Sequence, residues 1–307
     1  MRLLTTLIGL AVLGHPIGTA AQTASQSDSE YDLGVRAGFC IQAMCQVFHG
    51  VLTTAVPGSG APVTVKIDKW LLGTPSASEI VEVPYEDFPD HNLGDGRLAS
   101  VWENVNTAPG TSVTVVYGLK KGLGVLPKMP VIVTSNEREM DIIRTLTEEG
   151  PRLEGSPELI SEAVTSLSTT PNPALAGYIY MYLKFPKTSI PTDQWADLFW
   201  QLIQNPSVPA DRWDEIAVWL VSCYDNLSSA GRSTLISRLR GLGQQGDALA
   251  ATIGVAGLAE IASHDASVEV RISPATLAKL RSSYAALVSS GSIHSNLVPL
   301  KALLGVR

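Results

Sequence analysis

The sequence predicts an α+β protein in which a small antiparallel β-barrel is followed by an all-α domain. Two observations carry this prediction. From residue 46 to residue 134 apolar and polar residues alternate, as in Val63-Thr64-Val65-Lys66-Ile67, and a period of two is typical of a strand with one buried face. After Thr134 the hydrophobic period changes to 3.6, which is typical of helices with one apolar face. The change of period divides the chain into two halves.

Five or six short strands are predicted in the first half. Besides the segment at 63–67, alternation occurs at 81–85 and 113–117, and residues 131–133 form a short apolar run. Turns rich in glycine and proline separate these segments, at 57–60, 73–75, 109–110 and 122–124. Short strands joined by such turns favour a closed or nearly closed antiparallel sheet.

Four strand segments follow one another in the order VFHGVL, VTVKIDKWLLG, IVEVPY and PGTSVTVVYG. This order resembles the OB-fold barrel of netrin-like (NTR/TIMP-like) secreted modules. The resemblance covers residues 46–118 and implies an OB-like β-barrel domain over 38–134. Inhibitors of that family carry a Cys-x-Cys at the mature N-terminus, whereas Cys40 and Cys45 lie well inside this chain. Their metalloprotease-chelating function is therefore not carried over, although a netrin-like secreted protease inhibitor stays an alternative function.

A connector helix is predicted between the two halves, over residues 135–151. Thr134-Ser135-Asn136-Glu137 fits a capping box, in which the Thr134 hydroxyl and the Glu137 carboxylate satisfy the first free amides of the helix. The chain reaches Gly150-Pro151 at the expected end of this helix.

The remaining residues, 152–307, are predicted to form an α-helical, repeat-like domain. Helix starts at Pro157, Thr192 and Ser229 recur at about 36 residues, in the range of αα repeats such as HEAT. No repeat signature stands at fixed offsets, so a HEAT-like stack and an irregular helical bundle are both open.

The start of the chain predicts export. Arg2 supplies a positive charge and residues 3–13 a short apolar core, which together indicate a secretory signal peptide over 1–21. The next residues are polar, and we predict a disordered leader over 22–37. The expected location is therefore secreted or periplasmic. No later apolar run reaches the length of about 18 residues that a membrane helix needs, so no transmembrane segment is expected after signal removal.

Charge and composition restrict the class of partner. The net charge is −7, and no Lys/Arg cluster forms a basic patch, so nucleic acid is not an expected partner. No catalytic, cofactor-binding or metal-binding residue is assigned from the sequence. The leading prediction is an exported, non-catalytic binding or interaction protein whose partner is an unknown protein or a small ligand.

Two motifs have simple structural explanations. Residues 241–246 match G-x-G-x-x-G, but the dinucleotide fingerprint needs a preceding strand, and the preceding residues have helical spacing. We predict a loop between helices with glycine C-caps. The acidic loop 86–96 departs from an EF-hand and is expected to be solvated, with calcium binding as an alternative. An enzyme with dispersed site residues, most plausibly around Asp90, His91 and Asp95, is a further alternative function.

Three cysteines remain to be placed. Cys40 and Cys45 are candidates for a disulfide, which requires a turn through residues 42–44 because five residues of regular strand or helix separate the side chains too far. Cys223 shares a helical face with apolar residues and is predicted to be a buried thiol.

Two tryptophans are candidates for a partner surface. Trp200 lies about 140° around its helix from Trp195, and Trp219 lies about 120° from the face led by Trp213 and Leu220. Packing between stacked repeats accounts for both positions. The functional alternative is an aromatic anchor on an exposed groove.

Overall fold

The structure, a computed structural model, describes residues 17–42, 46–54, 63–73, 79–83, 105–117, 130–153, 156–184, 192–245, 247–289 and 304–305. Within these ranges the chain forms one five-stranded antiparallel sheet, nine α-helices and two short 3-10 helices. The predicted combination of an antiparallel sheet with a long helical region is confirmed at this level.

The sheet is built around its first strand. Its five strands are β1 (Gln46–Leu52), β2 (Val63–Leu72), β3 (Ile80–Val83), β4 (Ser112–Tyr117) and β5 (Pro130–Thr134). They lie in the order β3-β2-β1-β4-β5, and every neighbouring pair is antiparallel. In the described part of the sheet, β3 and β5 are therefore the two edges.

All the described helices except one come after the five strands in the sequence, and the exception, the first helix, precedes them. Their bounds are α1 (Ile17–Gln42), α2 (Glu137–Leu153), α3 (Pro157–Leu167), α4 (Pro173–Lys184), α5 (Thr192–Ile203), α6 (Trp213–Ser222), α7 (Ser229–Gly243), α8 (Ala248–His264) and α9 (Pro274–Ser289). The 3-10 helices are Ala210–Arg212 and Tyr224–Asn226. None of the helices in these ranges combines the length and the apolar character that a bilayer crossing requires.

The predicted helix starts at Pro157, Thr192 and Ser229 are those of α3, α5 and α7. Local capping explains two of them. The Ser156 hydroxyl accepts the Leu159 amide before Pro157, and the Ser228 hydroxyl accepts the Gly231 amide at 3.1 Å. Serine at the N-cap and proline in the first turn satisfy or remove amides that have no partner inside the helix.

Helix α1 corrects the prediction of a disordered leader over 22–37. These residues are helical, and Tyr31, Leu33 and Ala37 are almost completely buried. The polar run at the start of the segment hid a packing face that includes Tyr31, Leu33 and Ala37. The predicted signal peptide lies mostly outside the described residues, which begin at Ile17, and it stays a prediction.

Close backbone approach holds α1 against α4. A Cβ atom added to Gly34 would overlap the carbonyl oxygen of Ala174, and one added to Gly177 would overlap the carbonyl oxygen of Tyr31. Glycine at both positions therefore allows the two helix backbones to touch, and we call this contact the α1–α4 seam. Tyr31 joins the helical core, while Leu33 on another side of α1 joins the core beneath the sheet.

Helix α2 is the predicted connector, but its cap differs from the predicted capping box. The Asn136 side-chain oxygen accepts the amides of Arg138 at 2.9 Å and Glu139 at 3.3 Å. The Thr134 hydroxyl instead accepts the Asn136 amide at 3.0 Å. The capping box is therefore wrong: Asn136 satisfies the first turn, and Thr134 orients it.

The helical region is organised in sequential pairs. Helix α3 packs on α4, α5 on α6, and α7 on α8, while α5 also contacts α3 and α7. Helix α8 is buried along most of its length. A Cβ atom at Gly254 of α8 would overlap the backbone of Gly243 in α7, so small residues again allow two helices to approach closely.

The two faces of the sheet differ in composition. The inner face is uniformly apolar and buried, and it consists of Phe48, Leu52, Val63, Val65, Val83, Val113, Val115 and Val133. The opposite, helix-side face carries Val47, Val116 and Ile132 in one core with residues of α1, α2 and α4. Farther along the same face, His49 and Thr114 replace the apolar side chains.

Candidate functional site

Trp200, one of the two predicted surface tryptophans, is buried. Its side chain is 7% exposed, and the guanidinium of Arg238 in α7 lies 5.5 Å from its ring centroid. A surface role for Trp200 is therefore wrong. Helix α5 packs against α6 and also against both α3 and α7, so it buries more than the single face that the hydrophobic period indicates.

Trp219 lies in a different environment on α6. Its ring is half-buried, and the Lys184 ammonium lies 5.2 Å from the ring centroid. The same ammonium lies 5.6 Å from the Tyr180 ring. The neighbouring Val218 is 51% exposed, which is unusual for a large apolar side chain in this molecule. We call Lys184, Val218 and Trp219 the α6 surface.

A hydrogen bond and a ring contact hold the backbone that carries Lys184 of the α6 surface. The Trp195 indole N–H donates to the Leu183 carbonyl at 2.6 Å, at the end of α4 where Lys184 follows. The Trp195 and Phe199 rings pack with centroids 4.2 Å apart. Helix α5 therefore holds the end of α4 in place, and with it the backbone that carries Lys184.

A second candidate site is a cleft of about 300 Å³ between the sheet and the start of α2. We call it the sheet–α2 cleft. The sheet contributes His49, Lys69, Leu71 and Thr114, and the helix contributes Glu137, Met140, Asp141 and Arg144. It lies at the polar end of the helix-side face.

Strand register places the polar side chains of the sheet wall beside one another. His49 on β1 is opposite Lys69 on β2 and opposite Thr114 on β4. The His49 Nδ1 atom lies 3.3 Å from the Thr114 hydroxyl, which belongs to a residue that is only 1% exposed. Thr114 is thus part of the floor, while His49 is half-buried and Lys69 is exposed.

The helix wall follows from the spacing of its residues. Glu137, Asp141 and Arg144 stand at i, i+4 and i+7, which places them on one side of α2. Arg144 and Asp141 form an ion pair at 2.9 Å. Among the described residues, neither Lys69 nor Glu137 takes part in an ion pair. The cleft therefore has one cation and one carboxylate available, on opposite walls.

Sequence reasoning missed this cleft, although a signal was present. In the alternation of β1 and β4, His49 and Thr114 occupy the same face as Val47 and Val116. A histidine and a threonine in register, next to Val47 and Val116 on the same face, indicate that something other than an apolar helix meets this part of the sheet. The pairing of β1 with β4 was needed to see that they are neighbours.

Cys223 is the buried thiol that its helical spacing predicts. Its Sγ–H donates to the Leu220 carbonyl at 2.9 Å, and burial raises the pKa of the thiol to about 12. A protonated, buried thiol is not a nucleophile at neutral pH. The Asp265 carboxylate accepts hydrogen bonds from Ser267 and from Tyr224, the residue after Cys223, and these bonds lower the Asp265 pKa to about 2.

The glycine-rich segment 241–246 does not follow a strand. Helix α7 runs through Gly243 and ends with Gln244 in a right-handed conformation, while Gly246 lies outside the described residues. The predicted loop between helices is therefore too long at its start, because Gly241 and Gly243 belong to α7. The predicted glycine C-cap is wrong at Gln244, whose amide contacts the carbonyls of Gly241 and Leu242.

Two further predictions fall on residues that the structure does not describe. The acidic loop 86–96, with Asp90, His91 and Asp95, lies outside the described residues, so calcium binding and catalysis there stay predictions. Cys40 is buried in α1, but Cys45 also lies outside, and their disulfide stays a prediction. In the part of the chain that is described, no three His, Cys, Asp or Glu side chains form a group that could hold a metal ion.

Comparisons with protein-family models, with curated proteins and with solved structures each gave no match.

Proposed function

We propose that this is an exported, non-catalytic interaction protein that binds a protein partner through the α6 surface. The observation that carries the proposal is the exposed Val218 next to Trp219, a half-buried tryptophan with the Lys184 ammonium 5.2 Å from its ring centroid. Tryptophan anchors beside apolar contacts are typical centres of protein interfaces.

Preorganisation is the physical reason that this surface favours binding. Lys184 lies against both the Trp219 and Tyr180 rings, and the Trp195 hydrogen bond to Leu183 holds the backbone next to it. Side chains that are already ordered lose little conformational entropy when a partner covers them. Most of the gain from burying Val218 and Trp219 is therefore available for affinity.

The chemistry of the α6 surface indicates what its partner presents. Val218 and Trp219 offer apolar area, and the Lys184 ammonium lies 5.2 Å from the centroid of the Trp219 ring. The complementary segment carries an apolar side chain with a carboxylate beside it. The protein as a whole has a net charge of −7, so Lys184 is a local cation on a negatively charged molecule. A carboxylate of the partner is therefore oriented toward this end of the surface.

The finer architecture belongs to the same proposal. We place β3 and β5 next to each other in an OB-like barrel, because β1 is central and pairs with both β2 and β4. We interpret the sequential helix pairs as a HEAT-like stack, because α3, α5 and α7 contact one another in order and α6 contacts α8. A barrel and a helical stack are both scaffolds that present surfaces.

Site-specific photo-cross-linking tests the proposal on the full chain. A photoreactive phenylalanine analogue placed at position 218 is expected to yield one discrete adduct in the exported fraction of the source cells. The matched control carries the analogue at Leu159 on α3, which is 40% exposed but remote from the α6 surface in sequence and fold. The adduct is expected at 218 and not at 159.

A charge substitution completes the test. Val218→Glu is expected to reduce the adduct formed from a second probe at Ser222 by at least about tenfold, because it places a carboxylate against an acidic partner. Leu159→Glu is expected to leave that adduct unchanged. Equal adducts from positions 218 and 159, or an unchanged yield in Val218→Glu with an unaltered melting temperature, would overturn the proposal.

A further inference from the structure

The sheet–α2 cleft is separate from the α6 surface, and we propose that it binds a small zwitterion, namely a free α-amino acid with an apolar side chain. Its walls carry opposite charges in a space of about 300 Å³. That volume is at the lower end of the range of small-molecule sites, so the cleft accommodates a ligand of few atoms.

The sheet wall is suited to a carboxylate. Lys69 is exposed on β2 and has no ion pair among the described residues, so its ammonium is available to a ligand. His49 lies beside it in register and uses Nδ1 for its contact with Thr114. Its other ring nitrogen has no protein partner among those residues and adds a second polar contact.

The helix wall is suited to an ammonium group. Glu137 is exposed and, like Lys69, has no ion pair within the described ranges. Asp141 and Arg144 form an exposed ion pair at 2.9 Å, so their opposite charges balance each other. One carboxylate therefore faces one cation across the cleft, and a molecule with one charge of each sign satisfies both.

Two apolar residues of the cleft indicate which kind of side chain the amino acid carries. Leu71 on β2 and Met140 on α2 line the same cleft and are each half-buried. They offer apolar contact between the charged walls, and methionine adapts its shape to different aliphatic groups. A simple anion or cation would leave one of the two charged walls without a partner, so a dipolar ligand with an aliphatic side chain fits best.

The probe for this proposal is L-leucine, added to the full exported chain and followed by NMR or calorimetry. Saturable binding is expected, with shifts in signals of His49 and Thr114. N-acetyl-L-leucine lacks the ammonium and L-leucinamide lacks the carboxylate. Each is expected to bind at least about tenfold more weakly, since each loses one charge-assisted contact.

Matched substitutions assign the binding to the cleft. Lys69→Gln and Glu137→Gln are each expected to weaken L-leucine binding at least about tenfold. Lys66→Gln is the control, because Lys66 is also exposed on β2 but does not line the cleft. Val218→Glu is expected to bind L-leucine normally, so failure of the proposed partner surface and failure of this site are distinguishable.

Three results would overturn the inference. The first is the absence of saturable L-leucine binding by the folded protein. The second is equal affinity for L-leucine and both of its singly charged analogues. The third is unchanged affinity in Lys69→Gln together with Glu137→Gln, with both variants folded as judged by circular dichroism.

Discussion

The two faces of the sheet are made by the same five strands but meet different demands. The inner face is lined almost entirely by valine, with Phe48 packed edge-on against Trp70 at a centroid distance of 5.3 Å. The helix-side face packs against α1, α2 and α4 around Val47 and Val116, and it is polar at His49 and Thr114. The inner face is buried in one apolar core, whereas the helix-side face packs against helices in one part and lines the cleft in another.

The difference shows where the fold leaves residues available for function. A strand residue that packs in a core is chosen by volume and polarity, and few side chains fit. The polar end of the helix-side face lines the cleft and not an apolar core, so it carries no such requirement. Its residue types are therefore a better guide to ligand chemistry than those of the inner face.

The largest expected effect comes from truncating the inner face. Phe48→Ala removes a ring that is 1% exposed and should lower the free energy of unfolding by about 3–5 kcal/mol. His49→Ala changes the next residue, on the opposite face, and should cost less than about 1 kcal/mol. Urea denaturation followed by tryptophan fluorescence measures both. Equal losses would mean that the two faces do not differ in their contribution to stability.

A smaller effect is expected at the α1–α4 seam, which keeps α1 over the apolar half of the helix-side face. Gly34→Ala places a Cβ atom against the Ala174 carbonyl and should destabilise the protein by about 1–3 kcal/mol. The control is Gly241→Ala, where no atom lies within 4 Å of the new Cβ. That change should stabilise α7 by about 0.5–1 kcal/mol. A Gly34→Ala variant as stable as the parent in thermal melts contradicts the close seam.

The smallest effect is expected from exchanging polarity within the cleft. Thr114→Val removes a hydroxyl whose contact with His49 is 3.3 Å long, so stability should change by less than about 1 kcal/mol. The reciprocal change on the inner face, Val115→Thr, buries a hydroxyl among valines and should cost about 1–3 kcal/mol. Chemical denaturation of the pair compares the faces directly. A large loss in Thr114→Val would show that the cleft floor is part of the core.

Local signals made much of the fold predictable. The starts of α3, α5 and α7 were predicted because proline or a capping serine marks them within a few residues, whatever the rest of the chain does. The alternation of the strands was likewise readable from neighbouring residues, as was the burial of Cys223 on its helical face.

What could not be predicted depends on contacts between distant residues. Helix α1 was missed because its packing rests on Gly34 and Gly177 meeting across two helices, which no local pattern records. The choice between packing and a surface role for Trp200 could not be made from the sequence, because the number of helices that contact α5 is a tertiary property. The cleft needed both the register of β1 with β4 and the position of α2 above them.

The α1–α4 seam also constrains the order in which the chain can fold. Gly34 and Gly177 are about 140 residues apart in sequence, so α1 has its contacts with the sheet and α2 available before α4 has been synthesised. A contact between residues so far apart closes a long loop, and the entropy of that closure slows its formation. The seam therefore forms late, and a nascent chain that ends before α4 leaves the α4-facing side of α1 exposed.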